Sequence, residues 1–524
     1  MESSKPMRRR FPLLCLALLL SSCTLGPDFT PPNLNTPTDW TQGALQPDTK
    51  IGRQSSATTA PVTAAWWASF NDPTLTSLIT RASSTNLDLQ QATLRIAEAR
   101  AQRDITGAAQ FPALNANSGY MRERISERTA FTSLLSNIGA THGGPASTPT
   151  PIGGVPSAIP SLTNPFDQYQ WGFDASWEID LFGRVRRSVE AADATTQASI
   201  EDHNDVLVSL QGDVARAYID LRTAQLRRSV LEDNLKSQRG ILELTRDRAR
   251  FGMGNDVDVA NAAAQVTSTE ALLPQAAAQI SRDINQLSLL LALPPGTLRS
   301  ELDSARPVPP VPPDVPVGLP ADLARRRPDI RRAEAQLHSA TAEIGVAVAD
   351  LFPRLTLNAD AGIQASRFAD LSSWAGRFFS LGPSLEIPIF SGGARQANLR
   401  LQDTKAQEAA IAYAGTVLNA LHEVENTLVD YGNEQNRRSS LEATVTQNRT
   451  ALTLSQQRYQ SGVASFLEVL YAERTLQQAE LSLADSRATV STDLVALYKA
   501  LGGGWQTETA NDAGATKTGA DSTD

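Results

Sequence analysis

The chain has 524 residues, 41% hydrophobic and 20% charged, with a formal net charge of −9. An acidic balance of that size argues against nucleic acid as a partner, and four His and two Cys leave little from which to build a metal site. Four Met likewise speak against a methionine-rich path for soft cations.

Residues 1–22 have the layout of a secretory signal: Arg8, Arg9 and Arg10 precede an apolar run at 11–20 that is too short to span a membrane as a mature helix. Leu20-Ser21-Ser22-Cys23 resembles a bacterial lipobox. The resemblance implies that Cys23 carries a thioether-linked diacylglycerol and an N-acyl chain, which together anchor stably. Thr24, not being Asp, is compatible with sorting to the outer membrane. Cleavage would remove Cys15 and leave no disulfide. Beyond the signal no uninterrupted apolar stretch approaches about 18 residues, which excludes a transmembrane helix.

Residues 23–65, rich in Pro, Thr and Gln, read as an extended arm. Trp66-Trp67 and Phe70-Asn71-Asp72-Pro73 introduce a first helix, with Asp72 as N-cap and Pro73 at its first position, running to about Gly107. Phe111-Pro112-Ala113-Leu114-Asn115 begins a strand. Phe352-Pro353-Arg354-Leu355-Thr356 begins its counterpart 241 residues later.

In QYQWGFDASWEIDLFGRVRRS, residues 168–188, Tyr169, Trp171, Phe173, Ala175, Trp177, Ile179 and Leu181 alternate with polar residues. A pleated strand therefore carries one aromatic-aliphatic face and one polar face. After Phe182-Gly183 the period becomes about 3.6 with no proline before Pro274, so a long helix leaves the strand directly. An echo at 380–399 alternates Leu381, Pro383, Leu385, Ile387 and Ile389 with Ser380, Gly382, Ser384, Glu386 and Pro388, and a second helix follows. Phe390 stands 208 residues after Phe182. Arg458-Tyr459-Gln460-Ser461-Gly462 stands 208 after Arg250-Phe251-Gly252-Met253-Gly254. The chain reads as a tandem duplication, with repeats at 66–293 and 321–504. The wider strand spacing gives the first half about 33 extra residues, and the low-complexity run at 136–165 belongs there on an exposed loop.

Leu207, Leu210, Val214, Ala217, Leu221, Ala224, Leu231 and Leu235 follow three-four spacing, as do Val417, Leu421, Val424, Leu428 and Tyr431. That spacing is a coiled-coil seam. The helices are expected to turn back near Gly252 and Gly254 and near Gly462. Residues 294–320 read as a Pro-rich linker and 505–524 as a disordered tail.

A strand of about 14 residues, tilted near 45°, crosses a hydrocarbon core. Every backbone group in lipid needs a partner, and four strands cannot close on themselves. Several copies must therefore share one barrel, and the arithmetic allows two, three or four. A coiled-coil rod or periplasmic scaffold accounts for the helices but gives the strands no use. A passive porin needs more strands per chain. For an enzyme there is only His142-Gly143-Gly144, a faint oxyanion-like loop, with no GxSxG, phosphate loop or metal-spaced His cluster.

The lipobox followed by Gly26-Pro27-Asp28-Phe29, the Trp66-Trp67 entry, Arg326-Arg327-Pro328-Asp329-Ile330, and Tyr459, Gly462 and Phe466-Leu467-Glu468-Val469-Leu470 together resemble TolC-type outer-membrane efflux factors. The closest likeness is to the lipoprotein branch that serves RND-type pumps. The resemblance implies an α+β membrane protein: a homotrimer whose twelve-stranded outer-membrane β-barrel continues as a periplasmic α-helical coiled-coil barrel. It implies a periplasmic adaptor and an inner-membrane RND-type pump as partners, no cofactor, and no chemistry on the cargo. An exit duct for another export system is the alternative. By position, Asp258, Glu468 and Tyr459 are the periplasmic gate residues. Ala464 stands where some members carry a locking Arg, leaving Arg458 or Arg250 as substitutes. Tyr169, Trp171, Phe173, Trp177, Leu385 and Ile387 face lipid.

Overall fold

The computed structural model describes residues 24–32, 37–40, 55–124 and 165–506. The signal with Cys23, most of the arm, residues 136–164 of the expected loop with His142, and the tail from 507 lie outside the described residues. In chain order come β1 (Ser56–Thr58), a 3-10 turn (Trp66–Phe70), α1 (Pro73–Thr85), α2 (Leu87–Ala108), β2 (Ala113–Glu123), β3 (Phe166–Ile179) and α3 (Arg184–Arg250). Then follow α4 (Asp256–Glu270), α5 (Leu273–Leu290), α6 (Arg299–Leu302), β4 (Asp314–Pro316), α7 (Leu323–Arg326) and α8 (Pro328–Ala349). β5 (Arg354–Ala365), β6 (Arg377–Glu386), α9 (Ala394–Gln460) and α10 (Phe466–Ala500) complete the chain. Among the described residues no helix is long and apolar enough to cross a membrane.

The duplication is visible residue by residue. α3 and α9 are each 67 residues long and begin 210 positions apart. α4 and α5 together cover the 210-shifted span of α10, which is 35 residues long. Pro274 sits in the first turn of α5 where Ala484 lies inside α10; lacking an N–H and crowding the preceding turn, it splits the first copy. The 208 spacing holds only to Phe390. Ser391 and Gly392 then intervene, so the helices keep a spacing of 210 and Gly183 matches Gly393, both at φ 83°. Gly252 (φ 71°), not Gly254, is consequently the counterpart of Gly462 (φ 78°). At both turns the next N–H reaches back to close the helix, Met253 to the Arg248 carbonyl at 2.8 Å and Val463 to the Arg458 carbonyl at 2.9 Å.

The chain forms two compact units. The first takes the described parts of 1–29, 102–192 and 340–404, and the second those of 30–101, 193–339 and 405–524. The first is built on one antiparallel sheet in the order β2-β3-β5-β6. Trp171 lies opposite Ser118 and Ile363, and Ala361 opposite Phe173 and Phe379. Among the described residues β2 and β6 each keep one edge unpaired.

The second unit is helical with its own core. Asp72 caps α1, accepting from the Thr74 and Leu75 amides at 2.8 and 3.1 Å, and its other oxygen accepts from the Tyr218 hydroxyl at 2.7 Å. Asn86 caps α2 through the Leu89 amide at 3.0 Å, so the single helix expected up to Gly107 is two. Trp66 stacks on Tyr498, centroids 5.2 Å apart. β1 pairs in parallel with β4 inside the Pro-rich stretch, and the Trp40 indole donates to the Gly318 carbonyl at 3.0 Å. The basic run at 325–332 is structural. Arg327 binds Asp329, Glu423 and the Ala500 carbonyl, each at 2.7 Å, Arg331 binds the buried Glu201 at 2.6 Å, and Arg332 binds Asp202 and Asp205 at 2.7 and 3.2 Å.

Candidate functional site

The period-2 pattern puts Tyr120, Leu114, Tyr169, Trp171, Phe173, Trp177, Leu355, Leu357, Ile363, Phe379, Leu381 and Leu385 on one face of the sheet. Many of them stay exposed in the single chain, Trp171 at 50% and Phe379 at 84%. Ile387 lies just past β6 and is also exposed. The other face carries Asn115, Asn117, Gln170, Asp174, Ser176, Glu178, Asn358, Asp360, Gln364, Ser380 and Ser384, with Met121, Phe166 and Phe378 as large apolar exceptions. Asp174 and Asp360 stand directly opposite each other. Such like charges repel across a sheet, and each is compensated by donors: Asn115 and Asn117 bond Asp174 at 2.9 Å and the Ser380 hydroxyl bonds Asp360 at 2.9 Å. One face thus suits hydrocarbon and the other water.

Aromatic residues mark both ends of the apolar face. Tyr120 and Tyr169 (centroids 4.9 Å apart) and Phe368 lie at the loop end, and the Trp177 indole at the helix end donates to the Gln110 carbonyl at 2.9 Å. Rings with one wet edge at both ends of an apolar band are an interfacial arrangement. Where β3 becomes α3, Arg184 grips Glu178 through two bonds of 2.9 and 2.6 Å and Arg186 pairs with Asp180 at 3.3 Å. Residues 24–28 dock at this junction. The Leu25 amide donates to the Phe182 carbonyl at 3.2 Å, and the buried Arg187 binds Asp28 at 2.7 Å and Glu190 at 2.8 Å. The residue following Cys23 is therefore held at the foot of the sheet.

At the helix turns the structure brings together a set that spacing alone did not single out. Asp258 and Glu468 occupy equivalent first-turn positions of α4 and α10, 210 apart. Glu468 meets Arg458 at 3.7 Å, while Arg250 pairs with Asp247 at 3.3 Å in its own helix. Among the described residues neither Arg458 nor Arg250 joins the two turns; Arg248 does. Its guanidinium donates to the carbonyls of Tyr459 and Gln460, the latter at 3.0 Å, and to that of Met253 at 3.3 Å, while lying 4.5 Å above the Tyr459 ring. Tyr459 is buried in the apolar cluster of the turn, beside Phe466 at 5.7 Å, and its hydroxyl has no partner among the described residues.

Sequence reasoning also missed the buried acids. Glu473, 4% exposed, lies in the interior of the turn bundle, and burial pushes its carboxyl up to about 7 against the adjacent Arg474. Asp283 and Asp493, 210 apart, are each pushed to about 6, first by burial. Asp220 and Asp430, also 210 apart, raise them further. The usable signal was a carboxylate on an apolar helix stripe: Phe466, Val469, Glu473 and Leu476 share one seam.

A family model described as outer membrane efflux protein matches residues 78–293 and 319–503. Nodulation protein T of Rhizobium leguminosarum bv. trifolii is 31% identical over 494 residues, covering 93% of this chain and 96% of the relative. The solvent efflux pump outer membrane protein SrpC of Pseudomonas putida is 32% identical over 498 residues, 95% of this chain and 98% of the relative. Among solved structures, the outer-membrane channel OprN superposes with a TM-score of 0.80 at 33% identity, over 92% of this chain and 100% of that one.

Proposed function

The chain belongs to the outer membrane efflux protein family, and from that premise we propose how it works. It is the outer-membrane duct of a tripartite efflux system. Three copies close their four-stranded sheets into one twelve-stranded barrel, apolar outside and polar within. The helices extend into the periplasm, where an adaptor protein links them to an inner-membrane RND-type pump. Cargo leaves chemically unchanged, and the relative named for solvent efflux supports small organic molecules as its class. Cys23 carries the lipid anchor, immediately before the segment 24–28 that docks at the foot of the sheet. Asp258 and Glu468 line the periplasmic constriction, where carboxylates repeated around an axis concentrate cations.

The observation that carries this reading is the two-faced sheet, both of whose edges are unpaired among the described residues. In lipid an open edge costs several kcal/mol for each unmet backbone group, so the edges must meet other copies. The test is conductance of the purified protein in planar bilayers. The wild type is expected to form ion-conducting channels, and Asp258→Ala with Glu468→Ala to lower the preference for cations. A wild type that never conducts refutes the duct, and an unaltered double variant refutes the acidic constriction.

A further inference from the structure

In each half of the chain a phenylalanine follows the second strand, and the two stand in different surroundings. Phe182, after β3, packs on Phe352 at the start of β5, with ring centroids 5.0 Å apart. Its counterpart Phe390, after β6, is 91% exposed and borders an open recess of about 490 Å³ beside Leu351 and Ile389. The counterpart of Phe352 is Phe111 at the start of β2, itself 69% exposed. Two unsatisfied rings thus sit at the two open edges of one sheet, related as the satisfied pair is related inside it.

We propose that β6 of one copy pairs with β2 of the next in the register that β3 and β5 already display, seating Phe390 against Phe111 of that next copy. β3 and β5 pair Ser176 with Asn358, Trp177 with Leu357 and Glu178 with Thr356. Moving β3 onto β6 by 208 residues and β5 onto β2 by 241 pairs Ser384 with Asn117, Leu385 with Ala116 and Glu386 with Asn115. Through these pairs apolar residues meet apolar and polar meet polar; towards the loop end Met121, Arg122 and Glu123 face Ser380, Phe379 and Phe378. β6 matches β2 from Asn115, opposite Glu386, to Glu123, opposite Phe378, and Leu114 and Ala113 fall opposite Ile387 and Pro388 just past its end. A slip of one residue would exchange the faces of one strand. A slip of two keeps the faces but moves Phe390 about 7 Å from its partner ring. The inference rests on the shared barrel proposed above and adds its seam.

The experiment is disulfide mapping in isolated outer membranes of the full chain. Asn117→Cys with Ser384→Cys, and Asn115→Cys with Glu386→Cys, place thiols directly opposite, about 4.5–5.5 Å between Cα atoms and within disulfide reach. The same four substitutions recombined, Asn115→Cys with Ser384→Cys and Asn117→Cys with Glu386→Cys, sit about 7–8 Å apart on the diagonal. Oxidation is expected to give covalent oligomers from the first two variants and to lose them in the recombined two, with each single variant as control. Linkage in the recombined pairs alone, or none in a protein that still migrates as an oligomer in mild detergent, overturns the register and leaves the shared barrel standing. A protein recovered only as single chains overturns the barrel itself. Phe390→Ala in the cysteine-unmodified chain is expected to lower the temperature at which the oligomer dissociates on gels; an unchanged temperature overturns the ring contact.

Discussion

Replacing Glu473 by Gln tests whether the turn bundle is held more tightly at acid pH. Glu473 is buried between the apolar residues of the bundle with one carboxyl oxygen unpartnered among the described residues, and Arg474 spends its Nε on the Gln265 side chain at 3.0 Å. Its carboxyl rises from the usual 4.5 to about 7. At about 1.4 kcal/mol per pH unit, that gap corresponds to about 3 kcal/mol. Below pH 4.5 the packed and the opened bundle are both protonated, and the group costs nothing. Between 4.5 and about 7 only the opened form ionises, so packing weakens as pH rises and stays at its lowest above about 7. Gln has the shape of the neutral acid and does not titrate. Hydrogen exchange of α10 and of the end of α9, corrected for intrinsic rates, is the assay. Wild-type amides are expected to lose protection between pH 5 and pH 8. The variant is expected to keep it, gaining up to about 3 kcal/mol at pH 8 and little at pH 4.5. Equal loss in both proteins would show that Glu473 does not set the dependence. Ala263, the counterpart 210 residues earlier, shows that the packing itself requires no acid at this position.

Arg248→Ala removes charge-assisted bonds and a cation–π contact at a half-open site, together about 2 kcal/mol. Limited proteolysis at the two turns should accelerate about 30-fold, and Arg248→Lys, lacking the planar fork, should rescue only in part; unchanged cleavage would refute the clamp. Arg327→Ala strands Asp329 and Glu423 and frees the Ala500 carbonyl. Because Glu423 is half exposed, the loss falls below the roughly 3–5 kcal/mol of a fully buried pair. Thermal unfolding should still begin several degrees lower, and an unaltered melting profile would show that the basic run at 325–332 is dispensable.

The strand faces were legible because a period of two is fixed by the backbone: a residue cannot change face without the whole strand slipping. β3 accordingly covers 14 residues close to those the alternation marked, and α3 begins two residues after Phe182. The turn was less legible. Matching Arg250 to Arg458 paired like side chains, yet what the chain needs there is a residue tolerating positive φ, which Gly252 and Gly462 supply. Judged by backbone demand the spacing is 210, and Arg248 becomes the counterpart of Arg458. Its contact with Tyr459 joins residues 211 apart and depends on how two turns pack, which periodicity does not encode. The seam position of Glu473 was readable, but that one of its carboxyl oxygens finds no partner among the described residues was not, since that depends on which helices surround it.

The two units differ in what they need from outside. The helical unit buries its own apolar residues, with Trp66, Phe70, Leu75 and Tyr498 almost wholly enclosed. The sheet leaves Leu114, Trp171, Phe173, Phe379, Leu381 and Leu385 in solvent. At roughly 1.5–3 kcal/mol for each fully exposed side chain, and less for those half covered, the deficit is on the order of 10 kcal/mol. A whole domain is stable by only about 5–15 kcal/mol. A water-soluble single chain would thus spend most of its stability on one bare face, before any cost of its open strand edges is counted. Lipid removes the first deficit and a neighbouring copy the second, so insertion and closure are coupled: a sheet that enters the bilayer without meeting its neighbours keeps unmet backbone groups in hydrocarbon, and one that meets them in water keeps its aromatic face wet.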